Sequence, residues 1–501
     1  MTGAKTANSR VFIIKGGASP IHAPGYHSCL RLTGLSQGLG DIEKIECPDP
    51  YQYGAFIEIG EIRGAKERVA TSLEGRYAMD MISILRKYAR EGCPVDIQLH
   101  FGACQDPSVF DKFDKAIILE GASLTNYGTD DLGALASGDN ASINETSDVS
   151  ALDAYEVAPL TIGRAAESLI TNPVADVRIC EGISCGDCAT ENSGCDFAIA
   201  VTTGAGGSPA TVPDLIFNLG ANSGGTWYVY DINTLTVVAN SLDCLGDYVV
   251  VVSNAYGGYT YVSKAEFTGL ISPTWVGVAT GFAGGAPNWI DSYGSGAFIV
   301  GANGYIYLLT DPTLGVTVLD AGTVALGDNL LHVHAYNEST AVAVGNNGVV
   351  VYTLDGVTWQ DATRPVGIGV SLNTVWCKSE TEWWVGSSAG NMYYTLDSGA
   401  HWTVKPFSGS NAGSVTDIAF STESIGYVAH QTAATKGRLL RTYNGGYTWV
   451  VVPEKTGTIP AVDKFNHIAV CSYDPNFVIL GGINDIIVPQ PDGVLLVGTA
   501  T

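Results

Sequence analysis

Charge is what this chain has least of: Asp, Glu, Lys and Arg make up 15% of it, and 25 basic side chains stand against 50 acidic ones. A net charge of −25 argues against a surface that grips phosphate backbones. Long apolar runs are missing too. No stretch stays apolar for the roughly twenty residues a bilayer needs, so no membrane partner is expected. The N-terminal MTGAKTANSRVFIIKGG has only a four-residue apolar run, short of the core of a secretory leader, and the chain reads as made in a cytoplasm. Tryptophan is absent from the first two hundred residues, all nine lying at or beyond Trp227; so sharp a shift marks two domains. Glycine, by contrast, is abundant at 61 residues, which suits strands and tight turns better than long helices.

In the second half, short apolar runs ending in a small residue recur. They are IFNLGANSGG from Ile216, VVVVSNAYGG from Val249, AFIVGANGY from Ala297, AVAVGNNG from Ala341, EWWVGSSAG from Glu382, GYVAHQTAATKG from Gly426 and FVILGGIND from Phe477. Between Gly220 and Gly481 the run ends lie about 43 residues apart, the repeat of a four-stranded propeller blade. In the run from Ala341, Asn346, Asn347 and Gly348 tolerate positive φ between two β-rich segments, a hairpin signal. Seven such units arranged radially cover one another's faces and leave only short edges. The expectation is a seven-bladed β-propeller over residues 196–501, closed by pairing of the last run, GVLLVGTAT, with the first, FAIAVTT.

A second repeat lies inside the first. TLDGVTW carries Thr353, Asp355, Gly356 and Trp359; TLDSGAHW carries Thr395, Asp397, Gly399 and Trp402; TYNGGYTW carries Thr442, Asn444, Gly446 and Trp449. TDPTLGVTV from Thr310 is a weaker copy without the tryptophan. In each, the Asp or Asn can accept hydrogen bonds from its own turn, the glycine permits the reversal, and the tryptophan supplies apolar area. These turns resemble the Asp-box of sialidases and of many non-enzymatic propellers. A motif present once per repeat belongs to the fold rather than to one active site.

The first half has other habits. AMDMISILRKYAREG places Ala78, Met81, Ile82, Leu85, Tyr88 and Ala89 at helical spacing with Gly92 as the stop. CPVDIQLHFGAC alternates Val95, Ile97, Leu99 and Phe101 with Asp96, Gln98 and His100, a strand with one buried face. The polar GDNASINETSDVSALDAYEV reads as a long loop or hairpin leading to a further strand. Strands, one helix, more strands and the segments EIGEIRG, SLEGR and TNYGTDDLGALASGDNASINETSDVSALDAYEV resemble phage tail tube proteins between about Asp49 and Ala165. That resemblance implies a β-sandwich subunit over residues 1–175 that joins edge to edge into homo-hexameric rings. The rings would stack into a tube, contact other tail proteins and pass DNA through the lumen without binding it specifically.

CEGISCGDCATENSGC spaces Cys180, Cys185, Cys188 and Cys195 as C-x4-C-x2-C-x6-C. Two local disulfides would stiffen a linker over residues 176–195; a zinc ion held by the four thiolates is the alternative. Both are structural, and no cofactor is expected.

Sialidase chemistry needs an arginine cluster for the substrate carboxylate and a Tyr-Glu pair with an acid. Residues 196–501 hold only Arg364, Arg438 and Arg441, and neither a FRIP-like segment nor a G-x-S-x-G elbow is present. His401 and His430 read as incidental, and the chain is not expected to be an enzyme. The reading that uses the whole chain is a virion structural protein, assembled in the host cytoplasm into the tail, with the propeller displayed outward for host-surface glycans. A propeller acting alone as a binding or assembly platform, similar to the photosystem II assembly factor propellers, is the alternative, with a sialidase-like glycosidase behind it.

Overall fold

Alternating apolar strands broken by Gly and Asn turns can bury their faces only by pairing into sheets and stacking those sheets. The computed structural model does both. It describes residues 10–15, 25–27, 30–36, 42–48, 56–63, 69–76, 86, 89, 90, 92, 94–101, 115–129, 144–158, 160–164, 170, 172–180, 197–203, 213–219, 226–232, 238–253, 258–269, 273–278, 282, 284–325, 327–367, 369–405, 413–432, 436–452, 463–472, 474–484 and 492–500. The chain separates into two units, Met1–Pro159 and Leu160–Thr501. Among the described residues no helix is long and apolar enough to cross a membrane.

The first unit is built on an eight-stranded sheet. Its path runs Gly25–His27, Arg10–Lys15, Val95–Phe101, Lys115–Thr129, Asn144–Ala151, Val69–Arg76 and Leu30–Ser36, with Asp153–Val157 paired off the path to Lys115–Thr129. Ile42–Pro48 and Phe56–Arg63 form a separate ribbon. The long strand Lys115–Thr129 changes partner midway, from Val95–Phe101 to Asn144–Ala151. Gly121 marks the switch: its φ is +58°, its N–H donates to Asp96 Oδ1 at 3.0 Å, and an added Cβ would lie 2.6 Å from Leu152. The sheet curls there, so Val11 and Ile13 from one end share a core with Leu73 and Val149 from the other.

Two expectations change in this unit. Gln98 and His100 do not face solvent; both are buried and 3.0 Å apart, so each polar group meets the other. Asn144–Ala151, read as part of a long loop or hairpin, is a strand between two others. Of the expected helix, Arg86, Ala89 and Arg90 are helical and Gly92 has φ +67°; its other residues lie outside the described ones.

Among the described residues the second unit forms seven four-stranded antiparallel sheets. The inner strand of each touches the next, and the seventh returns to the first, closing a ring. Blade 1 runs from Val174 to Asp231, blade 2 from Ala239 to Val278, blade 3 from Pro287 to Ala321 and blade 4 from Leu330 to Asp361. Blade 5 runs from Leu372 to Lys405 and blade 6 from Gly413 to Val451. Blade 7 is composite. Asp463–Val470, Val478–Asn484 and Asp492–Ala500 supply three strands, and Leu160–Arg164 the fourth, with Leu160 opposite Ala500 and Arg164 opposite Leu496.

The propeller therefore begins at residue 160, not 196, and Leu160–Arg164 and Val174–Cys180, assigned to the tube domain and the start of the linker, belong to it. Closure does use GVLLVGTA, but FAIAVT is the second strand of blade 1 and not its partner. Every residue of Phe197–Thr202 is buried, as an interior strand requires. The run ends are unevenly spaced, Gly220 and Ser253 lying only 33 residues apart, and the cause is the same. Ile216 lies in the third strand of blade 1, whereas the other six apolar runs are second strands, so the first step came out short.

Cys180 forms a disulfide with Cys244, 64 residues on, and joins the inner strands of blades 1 and 2. Its sulfur is therefore not a thiolate for zinc, and the local pairing within the cluster does not hold for it. Cys185, Cys188 and Cys195 lie outside the described residues. A loop of this length restricts the unfolded chain by about 4 kcal/mol. Changing both Cys180 and Cys244 to Ser should lower Tm by about 5 °C for a unit this size. Calorimetry showing no change would mean that ring closure alone holds these two blades together.

Candidate functional site

The inner strands carry one pattern seven times. Each has a register irregularity at its second residue, in VADVR, ANSLD, PNWID, LLHVH, LNTVW, VTDIA and FNHIA, starting at Val174, Ala239, Pro287, Leu330, Leu372, Val415 and Phe465. Where the bulged residue is Asn, its amide reaches the next blade. Asn240 donates to Pro287 O at 2.9 Å, Asn288 to Leu330 O at 2.7 Å, Asn373 to Val415 O at 2.8 Å and Asn466 to Val174 O at 3.1 Å. The following residues latch the next blade in the other direction. Asp176 accepts from Leu242 N at 3.1 Å, Asp243 from Ser292 N at 2.7 Å, Asp291 from Ala335 N at 2.7 Å and Asp417 from Ile468 N at 2.8 Å. Bulges re-aim side chains, and here they turn polar groups onto the backbone of the neighbouring blade.

Side chains of non-adjacent blades meet across the axis. Arg178 of blade 1 lies 3.7 Å from Asp291 of blade 3 and over the Trp289 ring at 4.9 Å. Trp289 stacks on His332 at 4.2 Å and meets His467 of blade 7 at 4.6 Å, and His332 lies 3.7 Å from Asp417 of blade 6. At this level side chains fill the axis. Burial works against the Arg178 charge, but Asp176, Asp243, Asp291 and Asp417 hold it firmly on. Burial raises the carboxyls of Asp243 and, further, Asp291. It would raise Asp417 too, but His467, His332 and the Ile468 N–H outweigh it and bring that group down to about 2. Burial pushes His332 well below the ordinary imidazole range and His334 down to about 3.

The three Asp-box turns are a second scaffold. Thr353, Thr395 and Thr442 end the third strands of blades 4, 5 and 6. Each hydroxyl donates to the box acid or amide, to Asp355 at 3.0 Å, Asp397 at 2.8 Å and Asn444 at 3.0 Å. Those oxygens accept from Thr358 N at 2.6 Å, His401 N at 2.9 Å and Thr448 N at 2.9 Å. Such bonds hold Asp355 and Asp397 down at about 2. Gly356, Gly399 and Gly446 have φ of +74°, +79° and +95°. Trp359 packs edge-on to Phe298 of blade 3, Trp402 donates to Thr363 O of blade 4 at 2.7 Å, and Trp449 meets Trp384 of blade 5. Each box thus seals its blade to the preceding one. In the weaker copy, Asp311 accepts from Thr313 N at 2.8 Å.

The arginines do not converge. Arg364 pairs with Asp328 at 3.0 Å in blade 4, while buried Arg441 in blade 6 donates to Pro475 O at 2.8 Å. The boundary at 196 had also left out Arg164 and Arg178. His401 is exposed and bonded to Asp397 at 2.6 Å, whereas His430 is buried.

On the face carrying the box turns, a cleft of about 230 Å³ lies where blades 4, 5 and 6 meet. His334 and Tyr336, Trp376 and Lys378, and Phe420 to Glu423 line it. His334 meets the Trp376 ring at 3.9 Å and accepts from Cys377 N at 3.3 Å. Lys378 Nζ lies over Phe420 at 4.8 Å, donates to Glu423 O at 2.8 Å and sits 3.7 Å from Glu382. Sequence reasoning missed this site because its walls come from three blades. The recurring Φ-N-x-Φ of ANSLD, PNWID, LNTVW and FNHIA was the signal that could have aligned the inner strands and set these residues side by side.

The second unit is a β-propeller of seven four-stranded blades. Among solved structures, YCF48 from Cyanidioschyzon merolae is similar to the chain with 14% identity and a TM-score of 0.49, over 68% of this chain and 98% of that one. A structure of YCF48 bound to D1 peptide is similar with 15% identity and a TM-score of 0.48, over 69% and 96%. Neither a family model nor a curated protein matches the sequence.

Proposed function

We propose that the propeller is a non-catalytic binding platform whose contact site is the cleft of blades 4 to 6. The observation that carries this reading is the use made of the axial polar groups. Asp176, Asp243, Asp291 and Asp417 are each tied to the next blade's backbone, which leaves them as structural latches. Tyr336, in contrast, is 48% exposed and Glu423 is exposed, at a cleft that combines aromatic surface with a few polar groups, as ligand sites do. The full chain, tested on glycan and peptide arrays, should bind a discrete set of ligands, lose them on Tyr336→Ala, and show no turnover of chromogenic glycosides. An empty array, or multiple-turnover hydrolysis, would sink the reading.

A second reading concerns the first unit: a tail-tube subunit that joins into stacked rings and carries the propeller as decoration. What favours it is that its sheet ends in Gly25–His27 and Leu30–Ser36, each with one edge unpaired among the described residues. Such edges invite pairing with another copy. Negative-stain microscopy of the full chain at rising concentration should then show rings or tubes with peripheral knobs. Monomers at every concentration would overturn it and leave the platform alone.

A further inference from the structure

Resting on the platform reading, we propose that the cleft of blades 4 to 6 docks a basic peptide segment through one apolar side chain, with Glu338, Glu380 and Glu423 meeting the cationic residues that flank it. The seat is apolar because the polar groups around it are already engaged. Ser421 Oγ donates to Cys471 O, Thr422 Oγ1 accepts from Ile425 N at 3.1 Å, and His334 Nδ1 accepts from Cys377 N at 3.3 Å. Lys378 donates to Glu423 O and lies 3.7 Å from the Glu382 carboxylate and 3.5 Å from that of Glu423. What remains for a ligand is the aromatic surface of Tyr336, Trp376 and Phe420, where a polar group would lose water without gaining a partner. A volume of about 230 Å³, below the range of pockets for whole organic ligands, seats a single side chain.

The charge comes from a turn that occurs three times. In the hairpins joining the first and second strands of blades 4, 5 and 6, Tyr336 N donates to Thr340 O, Lys378 N to Glu382 O and Ser421 N to Ile425 O, each at 2.9 Å. Inside them Asn337, Ser379 and Thr422 accept from Ser339 N, Thr381 N and Ser424 N at 2.9, 3.2 and 3.3 Å. The box turn of each blade braces the hairpin from outside: Gly356 N donates to Ser339 O at 2.8 Å, Ser398 N to Thr381 O at 3.1 Å and Gly445 N to Ser424 O at 2.9 Å. The residue between those two fixed points is an acid every time, Glu338, Glu380 or Glu423, and all three are exposed. Each adjoins a wall of the cleft, Glu338 two residues after Tyr336, Glu380 two after Lys378, and Glu423 in the wall itself. On the same face the box acids Asp355 and Asp397 stay ionised, the N–H groups of Thr358 and His401 holding them down at about 2. An acidic segment would be repelled by this rim and by a chain of net charge −25. A neutral segment fills the seat but leaves the rim unmatched; a basic one gains from both.

Fluorescence anisotropy of the full chain with the labelled peptides KKLKK, KKGKK, SSLSS and EELEE separates the two contributions. KKLKK should bind at least tenfold more tightly than KKGKK, which lacks the anchor, and than SSLSS, which lacks the charge, while EELEE should not bind. Raising the ionic strength from about 0.05 to 0.5 M should close most of the gap to SSLSS, because exposed charges are screened. Changing Glu338 and Glu380 together to Gln should weaken KKLKK fivefold or more and leave SSLSS as it was. Neither carboxylate has a hydrogen bond or ion pair among the described residues, so this change spares the fold. Tyr336→Ala should weaken both peptides, and Asp247→Asn, at an exposed acid in the matching hairpin of blade 2, should weaken neither. The assignment falls if KKLKK binds no better than KKGKK, if the double Gln change has no effect, or if Asp247→Asn weakens KKLKK as much. Tyr336-dependent binding of SSLSS that equals KKLKK would keep the platform and overturn the basic partner alone; no binding of any peptide or array ligand would remove both.

Discussion

A fragment starting at Leu160 should fold and a fragment starting at residue 196 should not. The shorter piece loses Leu160–Arg164, the outer strand of blade 7, and Val174–Cys180, the inner strand of blade 1. With them go, among the described residues, seven buried apolar side chains, of which Leu160, Ile162, Ile170, Val174 and Val177 are the large aliphatic ones, each contributing about 1.5–3 kcal/mol. The sum, on the order of 10 kcal/mol, rivals the whole net stability of an ordinary domain. The cut also leaves Asp492–Ala500 as a bare edge and removes both Asp176 and Arg178 from the axis. Residues 160–501 should be monomeric and unfold cooperatively by tryptophan emission, and residues 196–501 should aggregate. A soluble, cooperative 196–501 fragment would falsify the assignment of the closing strand.

The repeat was legible because each blade carries its own hairpin: an apolar second strand, a Gly or Asn turn, and a third strand ending in Thr. All of that is local in sequence. The boundary was not legible, because tryptophan marked it falsely. Trp359, Trp402 and Trp449 belong to the boxes of blades 4 to 6, whereas the inner strand of blade 1, VADVRIC, and the closing strand, LTIGR, draw their apolar residues from Val, Ile, Ala and Leu and look like the first half. Leu160–Arg164 is a five-residue strand whose partner lies more than three hundred residues away, and nothing in LTIGR announces that. The axial latches were hidden for a different reason. The bulge shifts the side-chain alternation by one residue, so simple alternation along these strands does not single out His332 and Asp417, which are both buried. Cys180 misled in the same way, its neighbours in sequence suggesting local partners while the fold brought Cys244 to it.

Arg178→Met should cost about 3–5 kcal/mol near pH 7, the penalty for leaving buried carboxylates without their cation. Arg178 lies 3.7, 3.8 and 3.7 Å from Asp176, Asp243 and Asp291, and methionine keeps much of its length while removing its charge. The pH dependence gives the claim a sign. Asp243 and Asp291 are raised in the folded protein by burial, and Arg178 opposes that rise; without it they rise further. A carboxyl with a raised folded pKa binds its proton more readily folded than unfolded, so the variant regains stability as pH falls through that raised value toward about 4. Wild type and variant share an opposing trend, which largely cancels in the difference between them. His332 and His334 are depressed in the fold, so the stability they contribute is complete above about 6.5. It is lost as pH falls toward the folded value, at about 1.4 kcal/mol per pH unit for each histidine. The gap between variant and wild type should therefore be widest at pH 8 and shrink by pH 5. Because all nine tryptophans lie at or beyond Trp227, urea titrations of the full chain followed by tryptophan emission report the propeller alone. A gap that is below 1 kcal/mol at pH 7, or that widens on acidification, would show that the axial aspartates do not depend on Arg178.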